Sequence, residues 1–285
     1  MRFRTILVFF TPFLVIAAGC ADAPADPNGP GAGSGPTRYE TDGTVLEGPD
    51  HGPELCLGAI ADSLPPQCGG LPIRDWDWAG VEGEESVGGT TWGDFHIVGT
   101  YDGSSFTVVE VGVYEPPPSD SRDFTAPCPE PSGGWAVADP SRASDADLQA
   151  VMHAAEDEPD SAGFWIDYIE EPSESIAPED VIAVAAFTGD LERHESELRE
   201  IWGGALCVTQ HDRTEAELRG IQRELGGEVG EGLGLQVTWS SGSVVDNRVE
   251  VGVVVAGPED VAAVEERYGP EAVLLMPELE PVDGT

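Results

Sequence analysis

Five histidines, His51, His96, His153, His194 and His211, are scattered along the 285 residues, and no His-Glu-x-x-His helix occurs among them. Metal-dependent hydrolysis therefore finds no ligand set. His194 and His211 are near enough in order to meet across a helix-strand-helix unit, but their plain expectation is the surface near helix ends. Serine chemistry would need a Gly-x-Ser-x-Gly turn after a strand. The Gly-Ser stretches at 31–35 and 240–243 fall instead in a tether and a hairpin. Gly230-Glu231-Gly232-Leu233-Gly234 has the glycines of a phosphate loop, but it leads from a helix into a strand, whereas such a loop needs the amides of a following helix. With 54 acidic residues, carboxylate pairs such as Asp75 and Asp77, or Glu84 and Glu85, arise without any need for acid-base work. Acidic runs at Glu156-Asp157-Glu158, Glu170-Glu171 and Glu278–Asp283 lack the ligand spacing of a calcium loop. The most suggestive cluster is Asp75-Trp76-Asp77-Trp78. On a strand, both tryptophans share one face and both acids the other, which reads either as core or as a sugar-stacking ligand platform with hydrogen-bonding rims. No catalytic residue, metal or cofactor is assigned.

The charge balance narrows the partners. Thirteen basic residues, all arginine, face 54 acids, for a formal charge of −41. Nucleic-acid binding rests on cations that displace counterions from phosphates, so it is excluded as an expectation, as is attraction to anionic headgroups. Apolar residues make up 40% of the chain, enough for real cores.

Membrane attachment must then come from an apolar or covalent anchor, and residues 1–20 have that form. Arg2 and Arg4 precede the largely apolar run Ile6–Ala18, too short for the roughly 20 residues that a spanning helix needs. Ala17-Ala18-Gly19-Cys20 resembles the lipobox of bacterial lipoproteins, with Ala17 where leucine is commoner. The resemblance implies lipidation of Cys20, cleavage before it, and a membrane-anchored location on the extracytoplasmic side. Ordinary secretion is the alternative.

Four cysteines remain, Cys56, Cys68, Cys128 and Cys207, an even number suited to an oxidising compartment. Three pairings exist. Cys56 and Cys68 bracket a short Pro-Pro segment, which favours a local bridge and leaves Cys128 with Cys207.

These residues need elements to hold them. Residues 21–53, rich in Pro, Gly, Asp and Ser, read as a disordered tether. Residues 54–114 read as a small all-β domain, OB-like at most, with a hairpin at Thr100-Tyr101-Asp102-Gly103. A Pro-rich linker at 115–134 marks a domain boundary. Beyond it the order helix, strand, strand, helix, strand occurs twice, in units 135–212 and 213–285. The first has helices at 144–157 and 190–202 and strands at 163–170, 181–188 and 205–210. The second has helices at 214–225 and 258–269 and strands at 234–241, 248–255 and 272–279. Ser144-Asp145-Ala146-Asp147-Leu148 and Thr214-Glu215-Ala216-Glu217-Leu218 align at an offset of 70, each opening with a capping pattern. Gly203 and Gly269 follow amphipathic helices, where a left-handed C-cap fits. The expected fold class is α+β: the small β domain, then a duplicated αββαβ, ferredoxin-like sandwich region.

Paired units of this order, with a hairpin such as Ser243-Val244-Val245-Asp246-Asn247-Arg248-Val249-Glu250-Val251, resemble the pro-segments of bacterial chymotrypsin-like serine proteases, which fold and inhibit the enzyme that follows them. The likeness covers residues 144–280. The N-terminal stretch (Gly52-Pro53-Glu54-Leu55-Cys56, Pro65-Pro66-Gln67-Cys68, Trp92-Gly93-Asp94-Phe95) is similar to exported proteins of high-GC actinobacteria, a resemblance that implies an address and no chemistry. Three functions follow: a non-enzymatic anchored lipoprotein binding an exported protein or cell-envelope ligand, a protease inhibitor or folding helper, or a carboxylate-dependent glycan hydrolase.

Overall fold

A computed structural model describes residues 36–116, 122–169 and 177–282. The expected signal segment, the lipobox-like ending and Cys20 lie outside them. Pro36 onward forms one compact unit of mixed α and β structure with three sheets.

The first sheet closes on itself. Strands β1 (Arg38–Gly48), β2 (His51–Cys56), β3 (Gly70–Arg74), β4 (Glu85–Val87), β5 (Thr90–Tyr101) and β6 (Phe106–Val113) are antiparallel neighbours except β3 and β6, which run parallel. Because β1 pairs with both β2 and β5, the circuit β1-β2-β3-β6-β5 closes into a five-stranded barrel. Alternation along β5 sends Phe95 and Ile97 inward to join Val45, Leu55, Ile73 and Phe106. Each such side chain contributes about 1.5–3 kcal/mol by leaving water. At the bulge between Val98 and Gly99 the backbone of β6 crosses so closely that a Cβ on Gly99 would stand 2.3 Å from the Thr107 carbonyl oxygen. Only glycine permits that approach.

The expected tether to residue 53 is corrected here, since Arg38–Gly48 and the first half of His51–Cys56 fall within it and are barrel strands. The expected independence of residues 54–114 is corrected as well. Val254 and Leu279, from the far end of the chain, are part of the barrel core, and a late strand pairs with Tyr39 and Glu40.

The C-terminal elements follow the expected order closely. Helix α1 (Asp145–Glu156), β7 (Ser161–Tyr168), β8 (Val181–Phe187), α2 (Leu191–Ile201) and β9 (Ala205–Gln210) come first. Then come α3 (Glu215–Leu225), a short α4 (Glu228–Gly232) in the glycine-rich connector, β10 (Val237–Ser243), β11 (Arg248–Val253), α5 (Pro258–Tyr268), β12 (Val273–Pro277) and β13 (Glu280–Pro281), the strand that joins β1. In each half the first two strands are antiparallel and the second and third parallel. Ser144 with Asp147, and Thr214 with Glu217, form reciprocal capping boxes.

β8 is buried along its whole length because both faces are covered. Val181, Ala183, Ala185 and Phe187 meet Val151 of α1, Leu198 of α2 and Trp202 just after it. Ile182, Val184 and Ala186 face Cys128, Trp135, Val244 and Val245. The stretch expected to be a boundary linker is thus, over residues 122–134, a strap on the first α/β sheet. Trp165 Nε1 donates to the Phe124 carbonyl at 3.1 Å, Ala126 N donates to Asp167 at 2.8 Å, and Arg122 pairs with buried Glu250 at 2.7 Å. Neither glycine forms the expected left-handed C-cap: Gly269 has a φ of 88° but a ψ of 163°, and no positive φ occurs at Gly203. Gly203 is needed because the Asp139 carbonyl oxygen would lie 2.2 Å from a Cβ there, in a turn where Gly203 O accepts from Ala138 N and Asp139 N.

Candidate functional site

The tryptophan cluster does not lie on a strand. Strand β3 ends at Arg74, where Asp75 takes a φ of 61°, and the Asp77 carboxylate accepts from Ala79 N at 3.0 Å to cap a single 3-10 turn, Trp78–Gly80. Trp76 and Trp78 fold back over the end of the barrel instead of alternating with the acids along a strand. They meet edge to face, 5.3 Å between centroids at 80°, and lie 5.0 and 6.2 Å from Phe95. Trp78 Nε1 donates to Glu47 at 2.6 Å. Edge-to-face packing of this kind stabilises a core by about 0.5–1.5 kcal/mol per pair. The two rings do not share one strand face with the acids on the other, which corrects the alternation expected of Asp75, Trp76, Asp77 and Trp78.

Both expected disulfides are present, Cys56 with Cys68 and Cys128 with Cys207, at Cα separations of 5.6 and 5.7 Å. The histidines are not gathered. His51 and His153 are exposed and His96 lies beside Asp42. His194 stacks on Phe187, on the helix side of the first α/β sheet, while His211 stacks near Trp165 on the strap side. The sheet therefore separates the two that sequence order allowed to meet. His211 is half-buried; burial pushes its pKa down, against the raising influence of Asp212 and Asp246.

His194 is also not a surface residue. Its side chain is 1% exposed, and Nε2 lies 2.9 Å from the Asp160 carboxylate. Glu158, Asp160 and His194 bring three ligand-type atoms within 4.8 Å of one another, a cluster that sequence reasoning missed because His194 stands 34 and 36 positions from the two acids in an acid-rich background. A cation already stands among them. Arg193 lies 3.3 Å from Glu158 and 3.9 Å from Asp160, and closer still to Asp190 and Glu197, at 2.9 and 2.8 Å. Burial alone would raise the Asp160 pKa; the His194 hydrogen bond and the charges of His194 and Arg193 outweigh it and hold the carboxyl below the ordinary Asp range. The network ties α2 to the start of β7, with its imidazole sealed from solvent.

What the fold does present to solvent is strand edge. β12 is the last strand of its sheet, parallel to β11 and without a neighbour on its other side among the described residues. Leu274 and Met276 project from it 38% and 39% exposed, and Val261 of α5 is 43% exposed. A groove of about 360 Å³ runs along this edge between Val261, Val264, Val273 and Leu275, with Glu265, Glu271, Asp246 and Arg248 at its margin.

No protein-family model and no curated protein matches the chain. No helix among the described residues is long and apolar enough to cross a membrane.

Proposed function

We propose that this is a non-enzymatic exported lipoprotein, held to the membrane through lipid on Cys20, that binds a protein partner by strand addition along β12. The observation that carries the reading is the free β12 edge with Leu274 and Met276 exposed beside an apolar groove. Main-chain hydrogen bonds would supply affinity and the groove would take alternate side chains. The disulfides suit an oxidising compartment. The lipid anchor rests on the sequence Ala17-Ala18-Gly19-Cys20 alone. The test is capture of exported proteins by the mature chain and by its Leu274→Asp, Met276→Asp form. Equal capture by both rejects β12 as the interface, and glycan turnover lost on replacing one particular carboxylate rejects the non-enzymatic reading.

The two C-terminal units also support a second, finer reading, a duplicated ferredoxin-like pair that acts as a protease inhibitor or folding helper. Their shared element order, shared strand pairing and shared capping boxes favour it. Inhibition of an exported chymotrypsin-like serine protease, lost in the same double variant, is its expected outcome.

A further inference from the structure

The barrel is closed on one side of β6 by only two residue pairs. β3 and β6 pair only at Ile73 with Phe106 and Arg74 with Thr107, after which the chain turns away at Asp75. From Val108 to Val113, β6 is bonded to β5 alone, and no other described residue forms a hydrogen bond to its backbone. Residues directly opposite in an antiparallel pair share a face. Val111 lies opposite Ile97 and Val113 opposite Phe95, and Ile97 and Phe95 are 0% and 4% exposed in the barrel core. Val111 and Val113 therefore point to the core side, yet they are 38% and 86% exposed. A missing neighbour explains this: among the described residues no strand lies beside this part of β6 to carry the inner surface across them. The space is a groove of about 430 Å³ lined by Val81, Phe95, Val111, Val113 and Tyr114, with Glu82 and Asp94 as its charged members. Glu110 adds a third carboxylate on the same strand, met only by Arg38 at 3.9 Å.

We propose that the open edge of β6 is a docking site for an extended segment of a basic partner protein, in which apolar and basic residues alternate. The added strand would cover about six residues of β6, roughly 20 Å at 3.3 Å per residue. Its apolar side chains would lie over Val111 and Val113, and its cations would meet Glu82, Asp94 and Glu110. Charge selects this occupant over a second copy of the chain, because a copy carries the same excess of 54 acids over 13 arginines. The site belongs to the barrel and stands separately from the β12 interface.

The probe is a labelled peptide of about eight residues alternating valine and arginine, titrated into the full mature protein. A valine–glutamate peptide and a shuffled peptide of the same valine and arginine content serve as controls. Binding is expected for the alternating basic peptide, with slowed amide exchange confined to Val108–Val113. Val113→Arg is expected to weaken it about tenfold or more; that side chain is already exposed, so the fold is kept, and unchanged thermal unfolding checks this. Leu274→Asp should leave it unaltered. Equal binding of the shuffled peptide, protection elsewhere, or full affinity in Val113→Arg overturns the proposal. So does self-association of the mature chain that Val113→Arg abolishes, since the occupant would then be a second copy.

Discussion

Gly163 in β7 lies under Val244 at the tip of the β10–β11 hairpin, so close that a Cβ on Gly163 would stand 3.0 Å from the Val244 Cβ. The second α/β unit thus closes the face of the first, and the glycine, at a φ of 141°, is what admits it. Gly163→Ala adds a methyl where neither the backbone angle nor the space accepts one. A loss of about 1–3 kcal/mol is expected in denaturant unfolding. Gly189→Ala, where a Cβ meets nothing within 4 Å, is the matched control.

The Asp160 carboxyl is held below its ordinary range, so its pairing with His194 and Arg193 stabilises the fold above the unfolded Asp value near 4. That contribution is lost as pH falls through the lower folded value. Thermal unfolding of the native protein from pH 6 down to pH 2 should therefore decline more steeply than that of Asp160→Asn, whose amide does not titrate. Parallel curves would remove the network from the acid response.

Cys128 and Cys207 close a loop of 79 positions. Chain entropy assigns such a bridge about 4.5 kcal/mol, against about 3 for the 12-position bridge Cys56–Cys68. Replacing Cys128 and Cys207 by serine should lower stability more than the same change at Cys56 and Cys68. Exchange of amides in the 122–135 strap should rise in the first variant only.

Glu250 is 6% exposed, with Arg122 at 2.7 Å and Arg248 at 3.5 Å. Glu250→Gln leaves two arginines facing a neutral amide. Both guanidinium groups are about one-third exposed, so the expected loss is about 2–3 kcal/mol, below the 3–5 of a fully buried pair. Urea unfolding of Glu250→Gln beside Arg122→Gln measures it.

Elements governed by local rules were legible in the sequence. The capping patterns at Ser144 and Thr214 mark helix starts that depend only on the next three residues, β8 announces itself as an apolar run, and β11 as valines alternating with Arg248, Glu250 and Gly252. The cysteine pairing was legible because few partners existed. β1 was not, because Arg38–Gly48 carries Asp, Glu, Gly and Thr between its few apolar residues; its strand character comes from β5 alongside it. The tryptophans were read on the wrong element because a single left-handed Asp75 ends the strand that their alternation required. The His194 cluster and the open edge of β6 were invisible for one shared reason: each is defined by residues distant in the chain, or by a neighbour that fails to continue.

Leu279 and Val254 complete a barrel whose first strand begins some 240 positions earlier. A chain emerging from its N-terminal end meets this requirement late. The barrel residues appear first, but their core lacks two of its side chains and β1 lacks the partner for Tyr39 and Glu40 until the last stretch has arrived. Contacts of such long separation slow folding. Strand pairs within the α/β units span at most 26 positions, against 44 to 62 between β1 and β5, so they are expected to form before the barrel is complete.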